Sequence, residues 1–159
     1  MTLTGTNFVS NSSVTYNGVG HTTTFVSATE LKITLSTTDQ ATAGINAVVV
    51  SNPAPGGGAS IPVNFTVNNP VPTITSLSPS SATEGAAAET LTITGTNFVT
   101  TSTVSFNAVP HTTTDVSASE LKITLSTTDL RAAGTYPVVV TNPAPGGGAS
   151  NSKNFTVNP

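Results

Sequence analysis

Apolar and polar residues alternate along this chain in short runs. Leu121, Ile123 and Leu125 are interleaved with Lys122 and Thr124, and Val104 with Phe106 and Phe155 with Val157 follow the same rule. Tyr136, Val138 and Val140 extend the pattern. A period of two places one face of a strand in a core and the other in water. The runs predict strands at 73–78, 90–94, 103–107, 111–116, 120–126, 135–142 and 152–157. No 3.6-residue pattern lasts long, and 128–133 has room for a short turn only. Seven short strands within about 85 residues predict a two-sheet sandwich.

The pattern repeats. Shifted by 90 positions, residues 1–69 align with 91–159 without a gap, and 47 of the 69 positions are identical. Units of this size suit an immunoglobulin-like domain rather than a solenoid repeat. The expected division is 1–69 and 70–159, with Asn68–Pro72 as a stiff, proline-containing junction. Residues 71–90 precede the second copy, whereas nothing comparable precedes Thr2. The first copy is therefore expected to lack its opening strand, with a partner strand supplied by 73–78 or by another molecule, or with its edge left open. A strand-exchanged dimer is one form this could take. One position breaks the likeness: Tyr136, on an inward phase, corresponds to Asn46. Either the register differs locally in the first copy, or Asn46 is exposed by the missing strand, since an inward amide needs partners.

Composition narrows the function. The chain of 159 residues carries four Lys plus Arg against seven Asp plus Glu, a net charge of −3. So few bases give no surface for a phosphate backbone or an anionic membrane, so neither nucleic acid nor membrane insertion is expected. Thr and Ser make up 50 residues, and Val, Ile and Thr abound, which favours pleated, half-buried strands over disorder. Cysteine is absent, so neither disulfide nor thiolate chemistry is available. No apolar run reaches 18 residues and no signal peptide precedes Met1–Leu3; if the protein is exported, this chain is a piece of something longer.

Residues 72–159 resemble a bacterial IPT/TIG domain. The likeness lies in Pro72, Ile74, Leu77 and Pro79, in Gly85, and in LTITGTNF at 91–98. It continues through VSFN at 104–107, ELKITLS at 120–126, GTYPVVVTNP at 134–143 and NFTV at 154–157. The resemblance implies an immunoglobulin-like fold and tandem arrays in secreted or surface proteins. Related domains accompany starch-acting enzymes, receptors and some transcription factors, and no shared activity follows. The DNA-binding relatives rely on basic loops that are missing here.

Several residues invite chemistry. His21 and His111, the two imidazoles, occupy matching positions, but position 115 is Asp where its counterpart is Phe25, and no GxSxG elbow occurs, so a structural role is expected. Asp39 and Asp129 are expected to cap turns. Glu30 and Glu120 fall at strand starts, apart from those aspartates, so no calcium site is expected. Lys32 and Lys122 sit on the outward phase, which favours solvation over an isopeptide cross-link. Asn11, Asn64 and Asn154 match the N-glycosylation pattern, as chance allows in so Asn- and Thr-rich a sequence. Aromatic residues fit core positions, with Phe25 the exception, so a sugar platform is not signalled. NPAPGGGAS, at 52–60 and again at 142–150, has neither the following helix nor the Lys-Ser/Thr of a phosphate loop. It lies between strand patterns and is expected to be a hairpin connection.

These readings predict all-β, tandem immunoglobulin-like sandwiches with no catalytic, cofactor-binding or metal-binding residues and no cofactor. The expected role is a non-catalytic spacer or protein-interaction segment of a larger secreted or cell-surface bacterial protein. Its expected partners are neighbouring repeats, another protein or a glycan. The alternative is a carbohydrate-binding accessory module of a secreted glycan-active enzyme.

Overall fold

The computed structural model describes residues 1–159, and the side chains of all but Asp115 and Val116. The chain divides into two compact units, Met1–Val67 and Asn68–Pro159.

In the first unit the strands are β1 (Thr2–Thr4), β2 (Ser13–Tyr16), β3 (Val19–His21), β4 (Thr24–Ser27), β5 (Glu30–Lys32), β6 (Gly44–Asn52), β7 (Gly58–Ala59) and β8 (Val63–Val67). One sheet has the order β1-β5-β4; the other runs β3-β2-β6-β7, with β8 also on β6. Val14, Tyr16, Leu31, Ile33, Val48 and Val50 form the core between them. Alternation explains each choice: Val14 and Tyr16 are buried while Ser13 is exposed.

The second unit contains β9 (Thr73–Ser78), β10 (Ser81–Thr83), β11 (Glu89–Thr96), β12 (Thr103–Phe106), β13 (Val109–His111), β14 (Thr114–Ser117), β15 (Glu120–Leu125), β16 (Gly134–Asn142), β17 (Gly148–Ala149) and β18 (Lys153–Asn158). Its sheets have the orders β14-β15-β11-β9 and β10-β18-β16-β12-β13, with β17 also on β16. Pairing is antiparallel except between β10 and β18. The inward phase of both sheets is fully buried at Leu91, Ile93, Leu121, Leu125, Val138 and Phe155. Both units are all-β, immunoglobulin-like sandwiches, as the alternation predicts. Among the described residues no helix is long and apolar enough to cross a membrane.

One predicted element is corrected. The run 111–116 is not a single strand: β13 pairs with β12 in one sheet, and β14 with β15 in the other. The chain changes sheets at Thr112–Thr113. There the Thr113 hydroxyl accepts from the Val104 amide at 3.1 Å and donates to the His111 carbonyl at 3.3 Å. A local side-chain bond thus replaces the ladder bonds that a continuous strand would have made. The short strands β10 and β17 were also not anticipated.

Asn46 pairs with Phe65 as Tyr136 pairs with Phe155. The register is therefore the same in both units, and Asn46 is half-buried. A hydroxyl has changed strands. In the second unit Tyr136 stacks on Phe106 with centroids 5.3 Å apart and donates to the Ala132 carbonyl at 2.8 Å. In the first unit the position of Phe106 is Tyr16, which donates to the Asp39 carbonyl at 3.2 Å.

The NPAPGGGAS segments connect β6 to β8 and β16 to β18, with β7 and β17 folding back on the strand ends. Gly146, Gly147 and Gly148 have φ of 67°, 64° and 111°, which glycine adopts without steric cost. A Cβ on Gly147 would also meet the Asn142 and Pro143 carbonyls at 2.5 Å.

Candidate functional site

The two histidines are not isolated. In each unit the histidine ends a hairpin strand, β3 or β13, after which the chain crosses to the other sheet, and an aspartate from the turn that follows β5 or β15 reaches it. His21 Nε2 lies 3.5 Å from Asp39 Oδ1, and His111 Nε2 lies 3.6 Å from Asp129 Oδ1. The reading that no acid accompanies both histidines is thereby corrected. Asp115 is near His111 in sequence, but the fold brings the acid from the later turn, as Asp129. The side chain of Asp115 lies outside the described residues.

The other carboxylate oxygen does the turn-capping that was expected. Asp39 Oδ2 accepts from the Ser36 amide at 2.6 Å and from the Ser36 hydroxyl at 2.7 Å. Asp129 and Ser126 repeat this at 2.7 and 2.6 Å. These two donors stabilise the charged form and hold the Asp39 carboxyl below its ordinary pKa. Each imidazole directs Nδ1 at a carbonyl, Thr34 at 3.3 Å or Thr124 at 3.2 Å. Its ring stands edge-on to the aromatic core, 5.9 Å from Tyr16 or 6.0 Å from Phe106.

The chemistry of this cluster is structural. Hydrolysis by a serine needs the hydroxyl to donate to the imidazole and the carboxylate to orient that imidazole. Here the serine donates to the carboxylate instead. The cluster ties a hairpin strand, a neighbouring strand and a turn together. Among the described residues no three His, Asp or Glu side chains converge as metal ligands.

Beside each histidine lies an open concavity of about 600 Å³. Thr22, Thr24, Thr34 and Lys32 line it in the first unit, and Thr112, Thr114, Thr124 and Lys122 in the second. The lysines face outward, with Nζ 3.2 Å (Lys32) and 3.3 Å (Lys122) from Glu30 and Glu120. Asn11, Asn64 and Asn154 are exposed. Phe25 is 39% exposed, whereas Phe98, Phe106 and Phe155 are buried.

A second concavity occurs in the first unit. It is an apolar groove of about 390 Å³ along β1, floored by Leu3, Phe8, Val48 and Phe65 and rimmed by Ile61 and Val63. Sequence reasoning anticipated an open edge here but not the exchange of Asn151 and Lys153 for Ile61 and Val63 at its rim.

In the second unit the glycine loop grips the residues that lead into the sandwich. The Asn69 amide donates to Pro145 O at 2.8 Å, its side-chain amide to Pro143 O at 2.8 Å, and Gly147 N donates to Asn69 O at 2.8 Å.

The family model described as IPT/TIG domain matches residues 72–157. No curated protein sequence matches the chain. Among solved structures, the TIG domain of human nuclear factor of activated T-cells, cytoplasmic 4, is similar at 22% identity and a TM-score of 0.44. That match covers 56% of this chain and 89% of that one. An amphioxus IgVJ-C2 molecule is similar at 18% identity and a TM-score of 0.46, covering 98% and 94% respectively.

Proposed function

We propose, from the premise that the chain belongs to the IPT/TIG domain family, that it is a non-catalytic spacer and protein-interaction segment of a larger secreted or cell-surface bacterial protein. The carrying observation is the grip of the glycine loop on Asn69. A spacer transmits force and position only if the chain entering a domain is fixed to it, and three hydrogen bonds fix it here. The polar clusters support the same reading. Asp39 and Asp129 accept from the serines of their own turns, each histidine directs Nδ1 at a backbone carbonyl, and Lys32 and Lys122 pair with Glu30 and Glu120.

Gly146→Ala tests the grip. A Cβ there would lie 2.6 Å from the Asn68 Cβ and 2.7 Å from the Asn69 carbonyl. Hydrogen exchange at the Asn69 and Gly147 amides is expected to rise at least tenfold, with the β11–β15 amides unchanged. Unaltered exchange at Asn69 and Gly147 would remove the support for a fixed junction.

The carbohydrate-binding alternative draws its support from the threonine hydroxyls lining the two equivalent concavities. Against it, Phe, Tyr and Trp are lacking from those linings among the described residues. A glycan screen with the intact chain separates the readings: saturable binding lost on Thr22→Ala with Thr112→Ala would favour the accessory module.

A further inference from the structure

In the second unit the parallel pair β10–β18 joins the entering part of the chain to the departing part. Ser81 lies opposite Thr156, Ala82 opposite Val157 and Thr83 opposite Asn158. A backbone bond extends the ladder at each end: Thr156 N donates to Ser80 O at 3.1 Å, and Glu84 N donates to Asn158 O at 2.7 Å. Behind the ladder Phe155 and Val157 are 0% and 1% exposed, and Ala82 packs against the same core. Sliding β18 along β10 would draw Phe155 and Val157 out of that core.

The residues that lead into the unit are held by asparagine amides. Asn142 Nδ2 donates to Pro70 O at 2.8 Å and Asn97 Nδ2 to Val71 O at 3.0 Å. Asn151 accepts from Ile74 N at 2.8 Å and donates to Ile74 O at 3.0 Å. With the glycine-loop bonds to Asn69, the main chain is thus tied to the body of the unit at Asn69, Pro70, Val71 and Ile74 before β10 begins. Strand direction then decides how tension acts. Tension along the chain pulls β10 toward its first residue, Ser81, and β18 toward its last, Asn158, and in a parallel pair these lie at opposite ends of the ladder. The two pulls slide the strands past each other and load every ladder bond at once. The antiparallel pair β16–β18 has the other geometry. Gly134 stands opposite Val157, so pulls at Ala133 and Pro159 open it one bond after another.

We propose that the β10–β18 ladder is a tension-bearing clamp, and that the second unit resists force applied along its own chain. Bonds loaded together fail together, so forced opening must break the ladder and expose Phe155 and Val157 in one step. The quantity that matters for such a clamp is the rate of opening under load rather than the equilibrium stability. Glu84 gives a means of weakening the ladder alone. Ala86 N donates to Thr83 O at 3.1 Å and Gly85 has φ of 73°, which is a type II turn with Glu84 at the position where proline is common. Glu84→Pro therefore keeps the turn and removes the amide that donates to Asn158. This inference rests on the spacer half of the function proposed above. The Asn69 exchange measurement reads the fixing of the junction, and the measurements that follow read the ladder.

The test pulls the intact 159-residue chain in an optical trap through two introduced thiols, the only ones in a sequence without cysteine. Handles at Asn68→Cys and Pro159→Cys load the ladder lengthwise. Handles at Ala133→Cys and Pro159→Cys open β16–β18 from its end, and all three positions are exposed. At one pulling rate the opening force is expected to be at least about twofold higher in the first direction. Glu84→Pro is expected to lower that higher force by about a third with the urea midpoint essentially unchanged, since the lost bond and the stiffer unfolded chain offset each other. Equal forces in the two directions overturn the proposal. An unchanged force along 68–159 in Glu84→Pro overturns it as well, because the load then bypasses the ladder.

Discussion

Asp39 divides its carboxylate between two tasks, capping its turn and facing the imidazole. Oδ2 takes two donors from Ser36, and Oδ1 faces His21. The Ser36 hydroxyl and amide, and secondarily the histidine, hold its pKa below the ordinary value. The folded state therefore binds this proton less readily than the unfolded chain. Its contribution to stability is complete above the unfolded value of about 3.9 and is lost as pH falls through the lower folded value. A difference in unfolding midpoint between the wild-type chain and Asp39→Asn is expected at pH 5. It should shrink as pH falls from 4 toward 2. A difference that persisted unchanged at pH 2 would mean that the charge is irrelevant and that the turn is held by shape alone.

At the scale of strands, what the sequence disclosed depended on whether a feature was local. Leu121, Ile123 and Leu125 alternate with polar residues, so β15 was legible, as were β9, β12 and β18. The sheet switch at Thr112–Thr113 was not, because every residue from His111 to Val116 is compatible with an extended conformation. The change of sheet is made by Thr113 bonding Val104, nine residues earlier, through its side chain rather than through a ladder pair. The His–Asp contact was hidden for the same reason, although His and Asp recurring at matching positions of both copies was an available signal. Gly95 and Gly5 show how one residue reads differently on the two edges. Gly95→Ala must displace β9 from β11, because the obstacle is a backbone carbonyl at 2.0 Å. The expected loss is about 3 kcal/mol, at the upper end for overpacking. Gly5→Ala meets only the end of the Phe8 ring, which has room to turn in a half-open groove, and is expected to cost about 1 kcal/mol or less. Urea denaturation of the two variants compares them, and equal losses would contradict the role assigned to β9.

Across the whole molecule, near-identical sequence has been given unequal cores. The second unit encloses fifteen buried apolar residues and the first encloses six. The first unit is only about a quarter shorter, so the chain entropy it must overcome falls far less than its burial does. The cause is specific. β9 contributes Ile74 and Leu77 and covers the ends of β11, β16 and β18, while Leu130 is buried where the first unit has the exposed Gln40. Each fully buried aliphatic side chain stabilises by roughly 1.5–3 kcal/mol, so the missing cover outweighs any single substitution between the copies. Calorimetry of the intact chain is expected to resolve two transitions, the earlier one from the first unit and lower by about 10 °C, the shift that roughly 2 kcal/mol produces in a domain of this size. Hydrogen exchange assigns them, with β2 and β6 amides losing protection before those of β11 and β15. A single cooperative transition, or one in which β11 opened first, would mean that the smaller core costs the first unit nothing.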